Sequence, residues 1–162
     1  MPSEPLAYLL TWTCYGTWLH GDERGSVDDD HKTPGEPFLP ADQIRYSAES
    51  RRLHHAPIEL DAAARRIVAD TIRAHCDVRG WDLLALNVRT NHVHVVVACD
   101  AHPDRALSEF KAWTTRRLRE ARCMAPDAVV WTHHGSTRYL WKKESVDAAM
   151  EYVVDRQGDD LP

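Results

Sequence analysis

The sequence lacks the cysteine patterns that define small zinc-binding or disulfide-stabilised domains. Its four cysteines, Cys14, Cys76, Cys99 and Cys123, are scattered, and no CxxC pair occurs. A zinc ribbon needs such closely spaced pairs, and a disulfide framework belongs to small secreted chains. We therefore expect four reduced and partly buried thiols.

Long apolar runs are also absent. The first residues, MPSEPLAYLLTWTCYG, begin with polar residues and prolines, and the apolar run that follows is short and aromatic. Neither a membrane span nor the core of a signal peptide has this character. The sequence therefore predicts a soluble, cytoplasmic protein with no membrane partner.

An overall excess of positive charge is missing, since the net charge is −5. Residues 105–143, however, contain nine Lys or Arg against three acidic residues, a net of +6, which leaves −11 for the rest of the chain. Indiscriminate binding of nucleic acid is unexpected, but a polyanion could bind this local basic region.

The chain has the length of one domain, and we expect a single domain over residues 1–162. A first strand in LAYLLTWTCY is followed by a Gly-, Pro- and Asp-rich segment at about 16–60, which we interpret as a long loop insertion. Asp61 has the character of an N-cap, and Gly80 of a helix stop, so a helix is expected between them.

The second half alternates strands and helices. WDLLALNVRTNHVHVVVACD predicts two strands joined by a tight turn at 89–91, and PDRALSEFKAWTTRRLREA predicts a helix with one apolar face. A broken strand or hairpin in VVWTHHGSTRYLW and a helix from Glu144 to about Arg156 follow. The apolar face of the second helix comprises Leu107, Phe110, Thr114, Leu118 and Ala121. This order predicts an α+β fold, a ferredoxin-like antiparallel sheet with helices on one face plus a C-terminal helix carrying Tyr152.

Two histidines stand one residue apart in the strand TNHVHVVVACD. Alternate side chains of a strand share a face, so His92 and His94 can approach one cation, while Val93 and Val95 point the other way. Spacing alone is a weak indication, because two polar residues on a half-exposed strand produce the same pattern. A metal site would need a third ligand, and the C-terminal helix offers the candidates for it.

Several segments in this order resemble the HUH endonucleases, in particular single-tyrosine transposases of the insertion-sequence and REP-associated type. The resemblance covers LTWTCYGTWLHGDERG, NVRTNHVHVVV, FKAWTTRRLRE, GSTRYLW and EYVVDRQG. It implies a transposase-like endonuclease and strand transferase that cuts single-stranded DNA through a 5′-phosphotyrosine on Tyr152. It also implies a divalent metal, Mg²⁺ or Mn²⁺, on His92 and His94.

The third metal ligand is left open between two residues. In related transposases a glutamine lies one helical turn after the tyrosine, which favours Gln157. Gln157 is five positions after Tyr152, however, about 140° round an ideal helix, whereas Asp155 is three positions after it. Helix geometry relative to the tyrosine therefore prefers Asp155, and the resemblance prefers Gln157.

We expect single-stranded DNA or DNA hairpins as partners. A homodimer with shared active sites is one possible arrangement, and a monomer is the other. The alternative function is a domesticated hairpin-binding protein that no longer cleaves DNA. Eight residues are candidates for DNA contacts: Lys111, Arg116, Arg117, Arg119, His133, Arg138, Trp18 and Arg24.

Overall fold

In the computed structural model, which describes residues 3–17, 57–158 and 161, the chain forms an α+β fold with three helices and a four-stranded antiparallel sheet. The elements in chain order are β1 (Ala7–Thr13), α1 (Ala62–Arg79), β2 (Asp82–Val88), β3 (His92–Ala98), α2 (Pro103–Glu120), β4 (Ser136–Leu140) and α3 (Lys143–Asp155).

The strands are ordered β2-β3-β1-β4, and every neighbouring pair is antiparallel. The six elements before α3 follow the β-α-β-β-α-β order of a ferredoxin-like fold. The predicted fold class is therefore confirmed. Among the described residues, β3 is an inner strand, so its side chains are flanked by neighbouring strands on both sides.

The sheet has a separate apolar cluster on each face. Helices α1 and α2 cover one face, where Trp12 stacks on Phe110 and packs edge-on against Trp131. Helix α3 covers the other face, where Val146, Ala149 and Val153 pack against a smaller set from the strands. Because a strand alternates its side chains, β3 sends its odd-numbered valines to the first cluster and Val96 to the second.

Helix α1 begins and ends at the two capping residues that the sequence predicted, Asp61 and Gly80. The Asp61 carboxylate accepts a hydrogen bond from the Ala64 amide at 2.8 Å, and Gly80 closes the helix in the left-handed conformation with φ of 70°. The expected buried face of α2 needs one correction. The helix ends at Glu120 before the chain turns at Arg122, so Ala121 is exposed.

All four cysteines are free thiols, with Cys14 and Cys76 buried and Cys99 and Cys123 partly buried. Within the described ranges, no helix is both long enough and apolar enough to span a membrane. Most of the predicted loop insertion at 16–60 lies outside the described residues.

Candidate active site

The two histidines of β3 lie side by side on the face of the sheet that α3 covers. Their ring centroids are 4.9 Å apart. His94 is opposite Thr11 of β1 and Asn87 of β2, and His92 is opposite Thr13. His94 is buried, with 5% of its surface exposed, whereas His92 is partly exposed. The pair thus sits where the covered part of the sheet meets solvent.

The Nδ1 atom of each imidazole already has a hydrogen-bonding partner. Nδ1 of His92 is 2.7 Å from Oδ1 of Asn91, and Nδ1 of His94 is 2.9 Å from Oγ1 of Thr11. The Asn91 oxygen can only accept, so Nδ1 of His92 carries the hydrogen in this contact. A hydroxyl can donate or accept, so Thr11 fits either tautomer of His94.

Helix α3 places Tyr152 against this pair. The Tyr152 ring packs edge-on to His94 with centroids 5.5 Å apart, and 43% of the residue remains exposed. Its neighbour Val153 is fully buried, and the Val153 carbonyl accepts a hydrogen bond of 2.9 Å from the Asn87 side chain. These contacts fix the last turn of the helix on the sheet, so the ring stays at the histidines while solvent still reaches it.

The chain folds back after α3 and brings Gln157 to the same place. The helix ends at Asp155, and Gly158 takes a left-handed φ of 87°. The Gln157 amide nitrogen donates to the Tyr152 carbonyl at 3.0 Å, and the same side chain lies close enough to His94 to act on the pKa of that imidazole. Because the helix ends before Gln157, this side chain does not have to point about 140° away from Tyr152, as it would on an ideal helix.

Asp155, the rival to Gln157, is the last residue of α3 and lies on the side away from the buried Val153. It follows the buried Val153 by two positions, which is about 200° round the helix, and it is exposed. The structure therefore brings Gln157, and not Asp155, into contact with the histidine pair.

Burial keeps His94 uncharged at neutral pH. Removal from water is the largest cause, and the neighbouring His92 and Arg89 act in the same direction, while the hydrogen bond with Gln157 opposes them. Together they lower the pKa of His94 from 6.5 to about 4. A neutral imidazole is the form that binds a metal ion.

The donor set fits a weakly held divalent cation. In the described part of the chain, no group of three or more His, Cys, Asp or Glu side chains is placed to hold a metal. The site instead offers two imidazoles and the amide of Gln157, which is held at the carbonyl of Tyr152, the residue that packs on His94. Imidazole and amide ligands suit Mn²⁺ better than Mg²⁺, which prefers oxygen.

Two of the candidate DNA-contacting residues hold the protein's own backbone. The Lys111 ammonium donates to the carbonyls of Thr132, His133 and His134 at 2.9 to 3.3 Å, and its partial burial lowers its pKa. Arg119 donates to the Ala128 carbonyl at 2.9 Å. Both side chains therefore support the segment between α2 and β4.

The remaining described candidates are exposed on two different surfaces. Arg116 and Arg117 flank the ring of Trp113 on α2, at 5.1 and 5.9 Å from its centroid. Arg138 lies opposite Leu9, which places it on the same face as the histidine pair, and His133 is exposed just before β4. Trp18 and Arg24 lie outside the described residues.

Sequence reasoning missed three residues that orient the site: Thr11, Asn87 and Asn91. Asn91 could have been found, because it directly precedes His92 in a tight turn. Thr11 and Asn87 reach His94 only through the strand order, which pairs β3 with β1 on one side and β2 on the other. They carry no signal of their own in the sequence.

The fold and site together define a class: a ferredoxin-like α+β domain whose histidine pair on an inner strand faces a tyrosine on a C-terminal helix. No protein-family model matches the sequence, and no curated protein matches it.

Two solved structures are similar to the chain. One is a REP-associated tyrosine transposase bound to a REP hairpin, with 9% identity and a TM-score of 0.49 over 93% of this chain and 65% of that one. The other is a proposed transposase from Deinococcus radiodurans R1, with 15% identity and a TM-score of 0.47 over 98% of this chain and 95% of that one. This chain thus spans about two thirds of the hairpin-bound transposase.

Proposed function

We propose that this protein is a transposase-like enzyme that cuts and rejoins single-stranded DNA through a covalent bond to Tyr152. The observation that carries the proposal is the meeting of four side chains on one face of the sheet. Tyr152 packs on His94, His92 lies beside His94, and the Gln157 amide donates to the Tyr152 carbonyl next to them. The resemblance of the sequence to single-tyrosine transposases supplies the reaction type.

The reaction is a transesterification at phosphorus. The Tyr152 oxygen forms a bond to the phosphorus of a phosphodiester, and the bond from phosphorus to the 3′-oxygen breaks. The tyrosine proton passes to solvent, and the departing 3′-oxygen takes up a proton. The DNA 5′ end is then held as a phosphotyrosine, which a 3′-hydroxyl can attack to rejoin the strand. One ester replaces another, so no nucleotide hydrolysis is needed.

His92, His94 and Gln157 are the residues that would hold a divalent cation. When bound, the cation would polarise the scissile phosphate and withdraw charge from the leaving oxygen. The part played by the chain itself is orientation. Thr11 and Asn91 fix the two imidazoles, and burial keeps His94 neutral.

The exposure of Tyr152 suits a macromolecular substrate. A phosphodiester within a long strand cannot enter a closed cavity, so the attacking hydroxyl must lie at the surface. Tyr152 is packed on one side by His94 and is 43% exposed overall. An ordinary boundary tyrosine has the same exposure, so the hydroxyl itself must be tested.

The test uses labelled single-stranded DNA hairpins taken from the flanks of the protein's own gene. The protein is incubated with each hairpin and Mn²⁺ or Mg²⁺, and the products are separated on a denaturing gel. We expect a labelled protein–DNA adduct that survives denaturation, requires the metal, and disappears with Tyr152→Phe. His92→Ala should also abolish it, and excess Mn²⁺ should restore part of the His92→Ala activity only.

Tyr139 provides the matched control. It is 41% exposed, close to the 43% of Tyr152, but it packs on Tyr8 on the opposite face of the sheet. Tyr139→Phe should therefore form the adduct at the wild-type rate. Hairpin binding without any adduct, unchanged by Tyr152→Phe, would instead identify a binding protein that does not cleave.

A further inference from the structure

A groove runs between α1 and the strand β2, outside the histidine–tyrosine site. Its volume is about 300 Å³. Its lining residues on α1 recur at the spacing of one helical stripe, and three residues of β2 form the opposite wall. The complete lining is Ala62, Arg65, Arg66, Ala69, Arg73, Leu86, Asn87 and Val88. Two alanines in the stripe leave space between the arginines.

The described lining of this groove is basic. Three arginines line it, and no acidic residue is among the described lining residues. Arg65 donates to the Leu60 carbonyl at 2.8 Å, whereas Arg66 and Arg73 are exposed. Asp70 lies 3.5 Å from Arg73, but both side chains are more than half exposed, so this pair is weak.

The two exposed arginines have the spacing of an extended binding surface. Arg66 and Arg73 are seven residues apart, about 10 Å along the helix axis and on the same side of α1. A compact anion would contact one of them, while a chain of phosphates can contact both. The groove therefore fits a phosphate backbone better than a single small anion.

The inner wall of the groove adjoins the candidate active site. Asn87 lines the groove, is the register partner of His94, and donates to the carbonyl of Val153 beside Tyr152. Val88 precedes Arg89, whose charge acts on His94 and whose Nη2 lies 3.7 Å from where a Gly158 side chain would begin. Positive charge thus continues from the groove to the histidine pair.

We propose that the groove between α1 and β2 binds the sugar-phosphate backbone of single-stranded DNA next to the phosphodiester that Tyr152 attacks. Arg66 and Arg73 contact the phosphates, and the strand passes Asn87 and Arg89 to reach the site. This inference rests on the proposed function for the identity of the strand. Its own support is the position and charge of the groove.

The experiment compares DNA binding by the wild-type chain of residues 1–162 and two double variants. Arg66→Gln/Arg73→Gln removes the groove charges, and Arg105→Gln/Arg122→Gln removes two exposed charges from α2 and the turn after it. Binding to a labelled single strand of about twenty nucleotides is measured by fluorescence anisotropy across a salt series, with a chelator so that cleavage does not contribute. Thermal melting checks that each variant is folded.

We expect the groove variant to bind about tenfold more weakly near 0.1 M salt. The slope of log affinity against log salt concentration should also become shallower by about 1.4, because each of the two lost phosphate contacts accounts for about 0.7. The α2 variant should keep wild-type affinity. Equal binding by the wild type and the groove variant would overturn this inference and leave the proposed function standing. An equal loss in both variants would also overturn it, by showing an effect of net charge. Failure of the wild type to bind the strand would overturn both the inference and the proposed function.

Discussion

The hydroxyl of Thr11 can pair with His94 in either tautomer of the imidazole. Without a cation, it can donate to Nδ1 while the ring N–H is directed to the Gln157 amide, whose hydrogen bond acts to raise the pKa of His94. With a cation on Nε2, the ring hydrogen would be on Nδ1 and the hydroxyl would accept it. Few side chains other than serine and threonine can take both roles at this size.

Thr11→Val tests this role, because valine has nearly the same shape and lacks the hydroxyl. We expect Mn²⁺ affinity to fall by about 10- to 100-fold, the range found when the partner of a metal-binding histidine is lost. Titration calorimetry with the 162-residue chain measures it. Thr11→Ser, which keeps the hydroxyl, is the control, and equal affinities for the valine and serine variants would refute the role of Thr11.

Alanine variants of Gln157 and Asp155 should differ in their affinity for Mn²⁺. Because Gln157 contacts His94 and Asp155 is exposed away from the sheet, Gln157→Ala should weaken Mn²⁺ binding about tenfold or more. Asp155→Ala should leave it within about twofold of wild type, since an exposed distant charge is well screened. The same calorimetric titration decides the matter, and the reverse ranking would make Asp155 the ligand.

At the scale of elements, a carboxylate joins the two helices behind the sheet. Glu109 of α2 accepts hydrogen bonds from Arg79 of α1 at 2.6 and 2.8 Å, and lies 2.9 Å from His75 of the same helix. Burial acts to raise the pKa of Glu109, but the hydrogen bonds and charges of Arg79 and His75 outweigh it and lower the pKa below 4.5. Glu109 is therefore more acidic in the folded chain than in the unfolded one.

This difference makes the contact between α1 and α2 sensitive to acid. A lowered folded pKa contributes stability that is fully present above pH 4.5 and is lost as the pH falls through the folded value. At pH 7, Glu109→Gln should reduce the free energy of unfolding by about 1 kcal/mol, since the partners are partly exposed. The difference should shrink below pH 4.5. Urea unfolding at several pH values measures it, and a constant difference from pH 7 to pH 3 would contradict the assignment.

Helix ends and turns could be predicted from the sequence where they depend only on neighbouring residues. Asp61 and Gly80 act through their own backbone neighbours, so the limits of α1 followed from the sequence. The turn between β2 and β3 and the shared face of the two histidines followed in the same way. The end of α3 did not, because Gln157 folds back to contacts with Tyr152 and with His94, which is 63 residues earlier in the chain. The arginine groove was also missed, since it is formed by α1 and β2 together and lies outside the basic region at 105–143.

At the scale of the whole molecule, one chain contains every residue of the proposed site. The Tyr152 ring lies 5.5 Å from His94 of the same chain, and Gln157 of the same chain contacts His94. Of the two arrangements considered from the sequence, this favours a site that is complete within one subunit. A homodimer is also compatible with the structure.

Mixing two inactive variants tests this arrangement. His92→Ala lacks a metal ligand and Tyr152→Phe lacks the nucleophile, so each subunit of a mixture has one defect. A site built within one chain cannot be repaired by a partner, and we expect no adduct from the mixture on a denaturing gel. Recovery of the adduct would show that the histidines of one subunit act with the tyrosine of another.

The proposed covalent attachment of DNA to Tyr152 is tested most directly by locating the attachment site. The wild-type adduct formed with a hairpin and Mn²⁺ is digested with nuclease and trypsin, and the peptides are identified by mass spectrometry. Cleavage after Lys143 and Arg156 gives peptide 144–156, whose only tyrosine is Tyr152, while Tyr139 lies in peptide 139–142. We predict a nucleotide-modified form of peptide 144–156, with fragment ions that place the added mass on Tyr152. Modification of peptide 139–142, or of any peptide without Tyr152, would contradict the account.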